Sequence, residues 1–134
     1  MTTLDDIDQT LPNGFHDATL IAVALDFAKH EARLKLDIWV GNLDSSDDTV
    51  REAHRPAEVV LTGLLYWVSE PPESSLSDEE PSAPRIDTGK IEELPSPPTK
   101  LPSIPSDAFR NYIYVFDWNS FIYLAARDAS FSWL

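Results

Sequence analysis

Apolar and polar residues alternate with a period of two over most of this chain. In "TLIAVALDFA", Ile21, Val23, Leu25 and Phe27 share one face, and Leu20, Ala22, Ala24 and Asp26 share the other. In "RLKLDIWV", Leu34, Leu36, Ile38 and Val40 point inward, while Arg33, Lys35, Asp37 and Trp39 point outward. Successive side chains of a strand leave opposite faces, so this pattern predicts strands with one buried face. The short polar link "KHEA" predicts that the two strands form an antiparallel hairpin.

"GNLDSSDDTVREAHRPAE" carries five acids and reads as a loop. The next segment, "AEVVLTGLLYWVSE", is apolar on both faces and predicts a strand covered on both sides, with Gly63 as a bulge or close approach. Residues 70–107 hold nine of the eleven prolines. Each proline removes a donor and fixes φ, so the region reads as a long extended insert, acidic and partly polyproline II in character. Ile86, Ile91, Leu94, Leu101 and Ile104 recur along it and offer points where it would be pinned to the sheet. Trp39, on the polar face of its strand, is expected to be covered by this insert. Aromatic strands close the chain around turns at "DWNS" and "RDA". The expectation is an all-β or β-rich fold: about six strands in an antiparallel sandwich or partly closed barrel, with no helix of three turns. A chain of 134 residues fits one domain, residues 1–134, with 70–107 as its insert.

Composition narrows the function classes. There is no cysteine, which excludes disulfides, thiolate metal sites and a cysteine nucleophile. The N-terminal "MTTLDDIDQTLPNG" has three aspartates, no base and no continuous apolar run, so no signal peptide is expected. No apolar run approaches the roughly 20 residues of a membrane span. A cytoplasmic protein is expected. The net charge of −13 repels phosphate backbones and anionic lipid, so neither nucleic acid nor membrane is expected as a partner, whereas a basic protein would be steered toward the chain.

Candidate chemistry centres on "PNGFHDATL", where His16 and Asp17 stand side by side. A histidine beside an acid serves as a general base if a turn holds the two together, yet residues adjacent in a strand point apart. No nucleophile lies near in sequence, and the competing interpretation is that the pair bonds loop amides at the start of the strand. The three histidines, His16, His30 and His54, share no zinc-type spacing, and "NLDSSDD" lacks the order of a calcium loop. No metal or other cofactor is expected. Gly-rich phosphate loops and nucleophile elbows are absent.

The order "GFHDATL", a hairpin, "EVVLTGLLYWV" and a late aromatic strand pair resembles a group of small bacterial uncharacterised proteins with an FHDA motif. Some of them look like immunity proteins that neutralise toxins. The resemblance implies a β-rich stand-alone domain with a protein-binding role, and it transfers no catalytic residues. The preferred function is therefore non-enzymatic: an acidic interaction domain, immunity-like, whose contacts with a basic partner run through Asp44, Asp47, Asp48, Asp78, Glu79 and Glu80. The alternative is a small-ligand binder or enzyme in which His16 and Asp17 meet Asp117, Trp118, Asn119, Arg127 and Asp128 from the C-terminal turns. A third reading is a subunit that dimerises through a strand edge or an aromatic patch.

Overall fold

The computed structural model describes residues 1–73 and 82–134. The alternating segments become β1 (Ala18–Asp26), β2 (Glu31–Trp39), β3 (His54–Thr62), β4 (Tyr66–Ser69), β5 (Arg85–Lys90), β6 (Phe109–Val115), β7 (Ser120–Ala126) and β8 (Asp128–Trp133). They form one antiparallel sheet in the order β4-β7-β6-β5-β1-β2-β3-β8. The helices are short: α1 (Leu4–Thr10) and α2 (Asp48–Arg51).

The end strands β4 and β8 do not pair with each other; the sheet is not closed. Each continues another strand around a corner. β3 passes into β4 through Gly63–Leu65, and β7 passes into β8 through Arg127. The pairing steps by one residue there, from Thr62 opposite Asp128 to Tyr66 opposite Ala125. Gly63 takes φ +59°, a left-handed backbone that disfavours other residues, and a Cβ on it would press on the Arg127 side chain. The Arg127 amide bonds the Thr62 and Gly63 carbonyls at 3.1 and 3.2 Å, which fixes the bend. The halves β8-β3-β2-β1 and β5-β6-β7-β4 consequently share one core, with Leu34, Leu36, Val59 and Leu61 from one half and Ile113, Val115, Ile122 and Leu124 from the other. This is the sandwich-like arrangement that alternation predicts.

The expected six strands become eight for two reasons. The third predicted strand breaks at Gly63 into β3 and β4. The proline-rich insert is not wholly extended coil: "RIDTGK", between its two proline clusters, forms β5 and joins β1 to β6. Ile86 and Ile91 are buried, and Leu94, Leu101 and Ile104 are half-buried, so all five pin the insert to the body.

Two local features depart from the alternation. A bulge between Leu20 and Ala22 shifts the phase of β1. Leu20 faces Leu36, but beyond the bulge Val23 faces Leu34 and Leu25 faces Ala32, so Ala18, Leu20, Val23 and Leu25 share the inner face. The N-terminus folds as α1, whose Leu4 and Ile7, followed by Leu11 and Phe15, enter the common core. Its capping box is complete: Asp6 N–H donates to the Thr3 hydroxyl at 3.0 Å, and Thr3 N–H donates to the Asp6 carboxylate at 2.8 Å. Those bonds hold the Asp6 carboxyl below its ordinary range.

Candidate functional site

The FHDA segment ends a turn. The amide of Phe15 donates to Asp8 Oδ1 at 2.7 Å, and Ala18 N–H closes on the Phe15 carbonyl at 3.0 Å. Phe15 is buried and anchors the turn from below. Asp17 takes φ +58°, so the chain reverses between His16 and the first residue of β1. The opposite-facing geometry of strand neighbours therefore does not apply. His16 Nε2 lies 3.5 Å from Asp17 Oδ2, and Nδ1 lies 3.4 Å from Asp87 Oδ2 on β5. The imidazole stands edge-on to Phe116, 6.5 Å between ring centroids. Arg85 lies over the same ring, 5.8 Å from its centroid, with Nη1 3.9 Å from Asp17.

A cleft of about 650 Å³ opens here, lined by His16, Asp17, Trp39, Leu43, Glu52, His54 and Arg85 among others. It sits at one end of the sandwich, where β1, β3 and β5 begin and β2 ends. The acidic loop after β2 forms one wall. That loop is tethered: Trp39 Nε1 donates to the Arg51 carbonyl at 2.9 Å, and Asn13 Nδ2 donates to the carbonyls of Trp39 and Gly41 at 3.2 and 2.9 Å. Gly41 makes the fit possible, because a Cβ there would collide with the Arg51 carbonyl and the Trp39 indole nitrogen. Trp39 is thus tied to the loop of residues 41–53, where the sequence predicts cover by the insert; among the described residues the insert contributes Arg85 to the same cleft.

Asp44, Asp47 and Asp48 are all exposed on this loop. Asp47 caps α2 and accepts from the Thr49 amide at 3.0 Å and the Thr49 hydroxyl at 2.7 Å, bonds that hold its carboxyl below the usual range. Asp48 pairs with Arg51. Asp78, Glu79 and Glu80, the other expected contacts, lie outside the described residues.

The alternative site, which gathers the FHDA pair and both C-terminal turns, is brought together only in part. Asp117 does approach, since its Oδ2 accepts the Arg85 amide at 2.9 Å. Trp118 packs on the core. Asn119, at φ +46°, ends the turn after β6, accepts from the Tyr114 hydroxyl at 2.5 Å and donates to Glu73 at 2.6 Å. Arg127 and Asp128 are at the other end of the sandwich, because β7 crosses its full length between the two turns. Arg127 pairs with Asp107 at 3.3 Å, and Asp128 accepts the Thr2 amide at 2.7 Å. Both hold the corner and neither reaches His16.

Trp39, His54 and Arg85, which line the cleft, and Asp87, which approaches His16, carry no motif. They arrive from three strands up to 71 positions away from His16. Among the described residues, no group of three or more histidine and acidic side chains is placed to hold a metal ion, and no helix is long and apolar enough to cross a membrane. The chain matches no protein-family model, no curated protein and no solved structure.

Proposed function

We propose that this protein is a binding domain for a basic protein, of the immunity-protein kind, and that the partner docks on the end of the sandwich carrying the FHDA cleft. One observation carries this reading: the exposed acidic loop and the cleft are a single surface, held in place by the Trp39–Arg51 and Asn13 bonds. Asp44, Asp47 and Asp48 share the loop with the exposed Leu43, while Asp17, Glu52 and Asp87 stand at or beside the cleft. A pre-ordered patch of carboxylates with an apolar side chain among them suits lysine and arginine side chains that bring their own apolar stems. Little ordering entropy is lost when such a loop is already tied down.

A titration calorimetry series tests the proposal, using basic proteins encoded beside this gene as ligands. One of them is expected to bind, with affinity falling roughly tenfold or more between low and high salt. Exchanging both Asp44 and Asp48 for lysine is expected to abolish binding without loss of the fold. Binding that ignores salt and survives the double exchange would overturn the assignment.

A second reading rests on the cleft volume. About 650 Å³ suits a small ligand, which typically occupies roughly 300–1,000 Å³. Trp39 would supply a flat apolar wall, and Arg85, His16 and His54 would supply polar contacts. A saturable ligand shift in the spectra of His16 and His54, unaffected by the Asp44 and Asp48 exchanges, would favour this reading over the first.

A further inference from the structure

Among the described residues, β1 has an open edge beyond its first positions. β5 pairs with it only at Ala18 and Thr19, and the Leu20 amide bonds the Pro84 carbonyl at 2.9 Å. From Ile21 to Asp26, β1 is paired on the β2 side alone among the described residues. Edge strands are normally blunted by charge, proline or a covering element. Here the edge reads Ile-Ala-Val-Ala-Leu, with Ile21 50%, Val23 36%, Leu25 36% and Phe27 79% exposed.

We infer that a second copy of this chain covers the edge, with the two β1 strands antiparallel about a two-fold axis at Ala24. The register follows from the facing of the side chains. Two-fold pairing joins residues of one face, so positions that pair across the axis have the same parity. Centring on Ala24 sets Val23 of each copy opposite Leu25 of the other on the inner face and Ile21 opposite Phe27. On the outer face it sets Ala22 opposite Asp26. Ala22 is paired across β2 with Lys35, so each Asp26 meets the other copy's Lys35 over a small alanine. Neither Lys35 nor Asp26 has an ion-pair partner among the described residues. The contact is thus apolar on one face and charge-complementary on the other.

Charge also selects the occupant. Residues 18–39, the β1–β2 hairpin, hold three bases and three acids and carry no net charge; the rest of the chain holds seven bases and twenty acids, a net charge of −13. A strongly acidic chain approaches its own copy with little repulsion at a neutral hairpin, and a basic partner gains nothing there. Self-pairing at β1 therefore stands apart from partner docking at the acidic loop.

Sedimentation equilibrium over a micromolar concentration range tests the inference. The full chain is expected to move from 15.0 kDa toward twice that mass as concentration rises. Ala24→Lys, which opposes two like charges on the axis, is expected to remove the dimer. Lys35→Glu and Asp26→Lys are each expected to weaken it by roughly tenfold, and the double exchange to restore it. Lys35 is exposed on β2, so Lys35→Glu keeps the test informative if Ala24→Lys does not fold. A chain that stays at monomer mass throughout, or an Ala24→Lys variant that folds and still dimerises, would sink the proposal. Dimers weakened by neither single exchange would overturn the register.

Discussion

The two ends of the sandwich spend their polar residues differently. At the corner, bonds to backbone predominate: Asp128 accepts from the Thr2 amide, and the Arg127 amide donates to the Thr62 and Gly63 carbonyls, beside the Arg127–Asp107 ion pair. At the cleft end, His16, Asp17, Asp87 and Arg85 meet chiefly side chain to side chain, at 3.4 to 3.9 Å and with substantial exposure. The first arrangement stabilises a bend. The second leaves charge and hydrogen-bonding capacity facing solvent, where exposed ion pairs contribute little to stability and remain available to a partner.

Substitutions at the two ends should separate stability from binding. The largest effect is expected at Gly63→Val, which combines a left-handed φ with a press on Arg127 and should lower unfolding stability by about 3 kcal/mol in denaturant melts. Gly41→Ala at the cleft end should cost about 2 kcal/mol, because the methyl group displaces the Arg51 carbonyl; a red shift of Trp39 fluorescence would report the lost indole bond. Asp128→Ala removes one bond to the N-terminus and should cost about 1 kcal/mol, with faster amide exchange at Thr2. His16→Ala should shift stability by no more than about 0.5 kcal/mol while weakening partner binding measurably. If His16→Ala proves as damaging to the fold as Asp128→Ala, the contrast between the ends fails.

The smallest expected effect is one of pH. Hydrogen bonds hold Asp6 below its ordinary carboxyl range, so the capping box stabilises α1 fully above the unfolded-state value. That contribution disappears as pH falls through the lowered folded-state value. Amide protection at Thr3 and Asp6, measured against the intrinsic exchange rate at each pH, should fall in that acidic window. Protection that is lost instead near neutral pH would assign the helix start to another group.

Much of the sheet was legible because strand facing is a local property. Leu34, Leu36 and Ile38 are buried where the alternation places them, since each side chain's direction depends on its position along its own strand. The bulge at Ile21 was not legible, because its cause lies in pairing with β2 and not within "TLIAVAL". β5 was hidden by composition: six residues between proline clusters carry one large apolar residue, Ile86, and become a strand only because β1 and β6 offer partners. For the candidate site, the sequence marked His16, Asp17 and the acids at 44, 47 and 48. It left unmarked the distance between the FHDA pair and Arg127, which follows from β7 crossing the sandwich.

Alternation, proline placement and charge are written residue by residue, and they suffice for a β-rich, strongly acidic chain with a proline-rich insert. Which strands adjoin, where the sheet bends, which edge stays open and which carboxylates surround His16 depend on contacts between residues distant in sequence. Those contacts form only when two apolar faces bury each other around one core, and no local pattern states which two faces will meet.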